Sequence, residues 1–99
     1  MADVVSVLVV ADFEPFRQLV SSILRKRTEV YVIAESSNGK EAAQKARKLQ
    51  PDLILLDVGL LNGIEAARRM LKIAPATKII FVSRSALQSL RMKLSASAR

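Results

Sequence analysis

Three polar residues, Asp12, Asp57 and Ser83, each lie at or just after the end of an apolar run. A carboxylate can act as a nucleophile in covalent catalysis, and carboxylates are ligands that Mg²⁺ accepts. Each residue also has a structural interpretation. In that interpretation Asp57 caps a strand end, Asp12 is the N-cap of the following helix and Ser83 is an ordinary strand-end serine. An unpaired acid directly after four apolar residues is costly to bury, which favours a functional role for Asp57.

The elements that position these residues alternate along the chain. Four runs rich in apolar and β-branched residues predict strands at 4–10, 30–35, 52–57 and 78–83. The spacing of apolar residues predicts four helices. The first has Phe16, Leu19, Val20, Ile23 and Leu24 on its inward face and Arg17, Gln18, Ser21 and Arg25 outside. The inward faces of the other three are Ala42, Ala43, Ala46 and Leu49; Ile64, Ala67, Leu71 and Ala74; and Leu87, Leu90 and Leu94.

Strict alternation of strands and helices predicts an α/β fold with a doubly wound parallel sheet. In such sheets the functional crevice lies at the carboxyl ends of the strands, near the switch in strand order. Asp12, Asp57 and Ser83 all fall at that edge. A ligand site at the edge explains why a buried strand ends on an acid.

Composition narrows the function classes. The 99 residues suit one domain, with 51% hydrophobic residues for its core. Cysteine and histidine are both absent, which excludes disulfides, thiolate metal sites and the usual general base. We expect a cytoplasmic protein, since no run is long enough to cross a membrane and the N-terminus lacks the features of a signal peptide. The net charge is +7, and from Ala66 to Arg99 there are eight basic residues and no acidic one.

The motifs together resemble the receiver domains of bacterial two-component response regulators. VLVVADFEP resembles the first strand and its acidic turn, PDLILLD with NGIEAARRM resembles the phosphoacceptor strand and the next helix, and KIIFVS resembles the fourth strand. The resemblance runs from about Val4 to Ser83. It implies a flavodoxin-like fold with strand order 2-1-3-4, lacking the fifth strand and fifth helix of that family.

The resemblance also implies a role for each of the candidate residues at the carboxyl ends of the strands. Asp57 would accept a phosphoryl group from a sensor histidine kinase, a phosphotransfer protein or a small phosphodonor. Asp12, Asp57 and the backbone carbonyl of Gly59 would bind Mg²⁺, and Ser83 would be the switch hydroxyl that turns toward the phosphoryl group. The chain would then be a signalling module of a phosphorelay rather than an enzyme.

Several departures from the family pattern predict weak Mg²⁺ binding and impaired phosphorylation. The acid pair of the family is here Ala11-Asp12, and the turn DVGLLNG after Asp57 lacks the usual proline and one neighbour. The chain ends at Arg99, before the expected fifth-strand lysine. Residues 84–99 are atypical in composition, and we hypothesise that a frameshift shortly after Ser83 produced them. Without the fifth elements, we expect the chain to associate with itself.

Three other functions remain open. The chain could keep the receiver fold and act by docking or as a decoy without phosphorylation. A haloacid-dehalogenase-like hydrolase also uses a strand-end aspartate, but it needs a second acid where this chain has Gly59. The basic C-terminal third could bind nucleic acid, with a steep salt dependence. We expect no DNA-binding output domain in this chain and no membrane partner.

Overall fold

Parallel strands and helices alternate along the chain in the computed structural model, which describes residues 4–85. The elements are β1 Val5–Val10, α1 Glu14–Arg25, β2 Val30–Ser36, α2 Gly39–Leu49, β3 Leu53–Asp57, α3 Gly63–Ile73 and β4 Lys78–Val82. All strand pairs are parallel, in the order β2-β1-β3-β4. The predicted doubly wound sheet with strand order 2-1-3-4 is therefore confirmed. Arg84 and Ser85 are helical, but the rest of the predicted fourth helix lies outside the described residues.

The two faces of the sheet form two separate clusters of buried side chains. One face of β1 and β3 carries Leu8, Val10, Ile54 and Leu56, which pack with alanines of α2 and α3 and with Met70. The opposite face packs against α1, with its buried members Val7, Val9, Ala11, Phe16, Val20, Val32 and Leu55. Because successive strand residues point to opposite faces, β1 and β3 are buried on both sides and read as nearly continuous apolar runs.

Helix ends follow local signals in the sequence. Pro15 lies in the first turn of α1, where a missing N–H costs no hydrogen bond. The side chain of Asn38 caps α2 by accepting a hydrogen bond from the Glu41 N–H at 2.8 Å. Gln50 ends that helix in the left-handed region, with φ 46°, and its side-chain amide donates to the Ile73 carbonyl at 3.0 Å. This bond ties the end of α2 to the end of α3.

The predicted inward face of α1 is wrong at two positions. Ile23 is exposed, whereas Ser21 is fully buried. The helix is rotated toward its Arg17 side, because the Arg17 guanidinium donates to the Ala11 carbonyl at 2.8 Å and to Glu35 at 3.3 Å. These bonds hold the Arg17–Ser21 side of α1 against the sheet.

The predicted faces of α2 and α3 also need correction. Leu49, Ile64 and Leu71 are exposed, Ile64 by 65%, whereas Ala66 and Met70 are buried. Compared with the prediction, α3 is rotated so that its small residues face α2, which packs directly on it. A methyl group built on Gly39 would lie 2.8 Å from the Ala66 Cβ, so the two helices approach through these positions.

Within residues 4–85, β4 pairs on one side only, with β3. Its Ile80 and Phe81 side chains are exposed by 50% and 44% and lie on opposite faces of the sheet. None of the helices in this part of the chain is long and apolar enough to cross a membrane.

Candidate functional site

Asp57 is the last residue of β3 and is only 1% exposed. Its Oδ1 accepts the Gly59 backbone N–H at 2.9 Å. Its Oδ2 accepts two hydrogen bonds from Arg84, from Nε at 3.2 Å and from Nη2 at 3.1 Å. A buried carboxylate needs partners of this kind, since an isolated buried charge is strongly unfavourable. The interpretation of Asp57 as a bare strand-end cap therefore misses its charged partner.

Asp12 lies two residues beyond the end of β1, beside β3 in the sheet. Its side chain is 50% exposed, and its Oδ1 accepts a hydrogen bond from Arg84 Nη2 at 3.2 Å. The N-cap of α1 is Phe13, without a side-chain cap. The alternative interpretation of Asp12 as the helix cap is therefore wrong, and its side chain faces the same cation as Asp57.

Arg84 brings the two carboxylates together. Its Nη2 is bonded to one oxygen of Asp57 and one oxygen of Asp12. The guanidinium carbon also lies 4.8 Å from the centre of the Phe13 ring and 5.8 Å from that of Phe16, both within the range of cation–π contacts. The side chain thus connects the carboxyl ends of β1, β3 and β4.

The connection from β3 to α3 is short and tightly folded. The Leu60 N–H donates to the Asp57 carbonyl and the Gly63 N–H to the Leu60 carbonyl, both at 3.0 Å. Asn62 takes the left-handed conformation, with φ 58°, and a methyl group built on Gly63 would lie 3.9 Å from the Asp57 carbonyl oxygen. The start of α3 therefore lies close to the Asp57 backbone.

Gly59 lies beside the carboxylate of Asp57. Besides its N–H bond to Oδ1, a methyl group built on it would be 3.5 Å from Oδ1 and 3.7 Å from Oδ2. Glycine therefore keeps the approach to Asp57 open on this side. The same position has no acid for the second carboxylate of a haloacid-dehalogenase-like site.

Ser83 lies at the same edge of the sheet and is partly buried. Asp57 is in register with Val82, and the Val58 N–H donates to the Val82 carbonyl at 3.0 Å. Ser83 follows Val82 directly, so its backbone lies one residue beyond the level of Asp57 on the adjacent strand.

The donor set fits Mg²⁺ only in part. Mg²⁺ is usually bound by one or two carboxylates together with waters, and here Asp12 and Asp57 both reach one cationic nitrogen. Residues 4–85 contain no group of three or more acidic, histidine or cysteine side chains arranged for a metal. Asp12, Asp57 and the Gly59 carbonyl are thus the groups that would hold the ion.

Arg84 is the site residue that the motifs do not reveal. In the sequence it is one of the eight basic residues after Glu65, which together look like an ordinary solvated, positively charged surface. The available signal is position, because Arg84 follows Ser83 directly at the carboxyl end of the fourth strand. Any side chain there starts beside the two acids.

Comparison with known proteins matches this geometry to one family. The model of the response regulator receiver domain matches residues 7–98. A protein-glutamate methylesterase/protein-glutamine glutaminase 2 of Photobacterium profundum is 41% identical over 81 residues, covering 80% of this chain and 21% of that protein. The chain thus spans about a fifth of the length of such methylesterase relatives.

Solved structures agree with the sequence matches. The response regulator domain of Thermotoga maritima CheB is 34% identical, with a TM-score of 0.75, covering 89% of this chain and 72% of that chain. A structure of the P1 domain of CheA3 in complex with CheY6 from R. sphaeroides matches at 30% identity and a TM-score of 0.72, covering 82% of this chain and 64% of that chain.

Proposed function

Because the chain belongs to the response regulator receiver domain family of two-component systems, we propose that it accepts a phosphoryl group on Asp57. The observation that carries the proposal is the convergence of two carboxylates, Asp57 and Asp12, on one cationic nitrogen. Asp57 is the buried member of the pair and ends a central strand, where the fold presents its ligands.

The proposed reaction is transfer to a carboxylate nucleophile. An oxygen of Asp57 forms a bond to the phosphorus of the donor, the bond from phosphorus to the donor's leaving atom breaks, and an acyl phosphate remains on Asp57. Mg²⁺, when bound by Asp12, Asp57 and the Gly59 carbonyl, would neutralise phosphoryl oxygens. The Ser83 hydroxyl would donate to the phosphoryl group from the neighbouring strand. The chain is then a substrate of phosphotransfer, with at most slow self-phosphorylation from small donors.

We also propose that phosphorylation is weaker than in a receiver with a complete acid pair. Ala11 is buried where the family has its first acid. Within residues 4–85, only two carboxylates, those of Asp12 and Asp57, would therefore bind the metal. The short turn at 58–62 also brings the start of α3 near the Asp57 backbone. A site with fewer charged ligands binds Mg²⁺ less tightly, and the transfer slows with it.

The proposed donor is a sensor histidine kinase or a phosphotransfer protein in the cytoplasm. The supporting comparison is the complex of the CheA3 P1 domain with CheY6, a structure that resembles this chain. The donor would dock over the carboxyl edge of the sheet, because Asp12, Asp57 and Ser83 all lie there.

A second candidate function is a phosphorylation-independent interaction or decoy role that keeps the receiver fold. The observation that favours it is Arg84, whose guanidinium already pairs with both Asp57 and Asp12. The two candidates differ in one measurement, the incorporation of phosphoryl groups from acetyl phosphate and Mg²⁺.

The test uses intact-protein mass spectrometry after incubation with acetyl phosphate and Mg²⁺. We expect the wild-type chain to gain one phosphoryl group and the Asp57→Asn variant to gain none. Asp52→Asn is a matched control, since Asp52 is an exposed acid immediately before the same strand and lies at the amino ends of the strands, away from Asp57. Equal labelling of Asp57→Asn and the wild type would refute Asp57 as the acceptor, and no labelling of the wild type would favour the decoy role.

A further inference from the structure

The Arg84 guanidinium lies where a divalent cation would have to lie. Its Nη2 is 3.1 Å from Asp57 Oδ2 and 3.2 Å from Asp12 Oδ1, and Nε is a further 3.2 Å from the same Asp57 oxygen. Two carboxylates bonded to one nitrogen define a single cationic position between them. A metal ion bonded to both of these oxygens would occupy the same space.

Aromatic rings support the guanidinium in this position. Phe13 and Phe16 lie within cation–π distance of it; Phe13 is the N-cap residue of α1, and Phe16 is buried in the first turn of that helix. Arginine stacks on aromatic faces and pairs with carboxylates better than lysine does, because its planar group offers several donors in fixed directions. The contacts on both sides hold Arg84 in place before any ligand arrives.

We propose that Arg84 is a resident counter-ion of the Asp12–Asp57 pair and that Mg²⁺ binds only by displacing it. This inference rests on the proposed function, since it concerns the same carboxylates. Mg²⁺ needs carboxylate oxygens at about 2.0–2.1 Å, which excludes a guanidinium nitrogen bonded between the same two oxygens. The positive charges also repel each other, strongly so beside a buried carboxylate.

The exchange has two measurable consequences. Removing the guanidinium leaves the buried Asp57 carboxylate without its charged partner, so the metal-free protein loses stability. The same removal ends the competition for the two oxygens, so Mg²⁺ binds more tightly. A merely structural Arg84 would show the first effect and not the second.

The main test is a Mg²⁺ titration of the wild type, Arg84→Met and Arg47→Met by isothermal calorimetry. Arg47→Met is the matched control, since it removes the same charge from an exposed position in the last turn of α2. We expect Arg84→Met to bind Mg²⁺ about tenfold more tightly, while Arg47→Met changes the affinity by less than about twofold because solvent screens its charge. Unchanged or weaker binding by Arg84→Met, or equal tightening by Arg47→Met, would overturn the proposal.

A second measurement uses the wild type alone and covers the case in which Arg84→Met fails to fold. The side-chain Nε–H signal of Arg84 is followed by NMR as Mg²⁺ is added. Displacement predicts that this signal moves to the position of a solvated arginine, with faster hydrogen exchange, at saturating Mg²⁺. If the signal stays at its metal-free position at saturation, Arg84 is not displaced and the proposal is wrong.

These results are separable from the phosphorylation result. Labelling of Asp57 with an unchanged Mg²⁺ affinity in Arg84→Met would contradict the displacement and leave the acceptor assignment intact. Tighter Mg²⁺ binding in Arg84→Met without any labelling of Asp57 would support the displacement and contradict the phosphoacceptor function.

Discussion

Asp52 and Ser6 bond to each other through three hydrogen bonds at the amino end of the sheet. The Asp52 carboxylate accepts the Ser6 N–H at 2.9 Å and its hydroxyl at 3.0 Å, and the Asp52 N–H donates to the Ser6 oxygen at 2.9 Å. Asp52 and Asp57 thus flank the two ends of β3 with different partners. The first ties β3 to β1, and the second faces the functional edge.

The Asp52 contact predicts a pH dependence of stability. The hydrogen bonds from the Ser6 backbone and hydroxyl hold the pKa of Asp52 below its ordinary value. Because the folded pKa is lower than the unfolded one, the ionised carboxylate stabilises the fold above the unfolded pKa, and this contribution disappears as the pH falls through the folded pKa.

We therefore expect the stability gap between the wild type and Asp52→Asn to narrow as the pH falls from about 6 to about 3, measured by urea unfolding. The stability difference between the wild type and Ser6→Ala should be smaller than that for Asp52→Asn, since the Ser6 backbone N–H remains to hold the Asp52 carboxylate. A gap of constant size over this pH range would show that the Asp52 bonds do not depend on its ionisation.

Gly39→Ala should destabilise the protein, although alanine usually favours a helix. Gly39 begins α2 without a positive φ, so the backbone alone does not require glycine. The added methyl group would meet the Ala66 Cβ at 2.8 Å, and overpacking of this kind costs about 1–3 kcal/mol. Thermal unfolding checks this, with exposed Lys40→Ala as the neighbouring control. A Gly39→Ala variant as stable as the wild type would mean that α2 and α3 separate easily.

Restoring the missing acid should strengthen the metal site. Ala11→Asp adds a carboxylate beside Asp12, and we expect Mg²⁺ to bind about tenfold more tightly, a typical effect of a group that supports metal ligands. Because Ala11 is buried, the same variant should be less stable than the wild type without Mg²⁺ and should regain stability with it. An unchanged titration would mean that the short turn at 58–62, and not the missing acid, limits Mg²⁺ binding.

Among residues 4–85, β4 forms one edge of the sheet, and self-association therefore stays a prediction. An edge strand with free N–H and C=O groups and exposed apolar side chains favours pairing with another chain, and β4 exposes Ile80 and Phe81. We expect dimers or larger species in sedimentation at low micromolar concentration, weakened by Ile80→Lys. Tyr31→Lys is the control, since Tyr31 is exposed on β2 at the opposite edge. A stable monomer at that concentration would contradict the prediction.

The centre of the sheet was predictable from sequence because its two central strands, β1 and β3, are buried on both faces. Residues such as Val7, Leu8, Ile54 and Leu55 form short apolar runs that are typical of central parallel strands, and their alternation with helices determines the topology. Helix faces were less predictable. Besides Phe16, Val20 and Met70, the buried faces of α1 and α3 include Ser21 and two alanines, whereas larger apolar residues such as Ile23 and Ile64 lie outside.

The residues of the site also differ in how well the sequence predicts them. Asp57 was predictable because burying an acid at the end of an apolar strand has a cost that function explains. Asp12 was predictable from its place just after the first strand, at the same end of the parallel sheet. Arg84 was not, because an arginine in a basic segment looks like any solvated cation until the strand order places it beside the acids. The predicted fourth helix and the frameshift hypothesis concern residues that lie mainly outside the described part of the chain, and the nucleotide sequence of the gene tests the latter.

The most direct test of the phosphoacceptor assignment identifies the modified residue itself. The chain is treated with acetyl phosphate and Mg²⁺, and the acyl phosphate is reduced with borohydride, which converts a phosphorylated aspartate into homoserine. Peptide mass spectrometry then locates the homoserine. We predict homoserine at position 57 in the wild type and in Asp52→Asn, and none in Asp57→Asn. Homoserine at position 12, or the same amount in Asp57→Asn as in the wild type, would contradict the assignment.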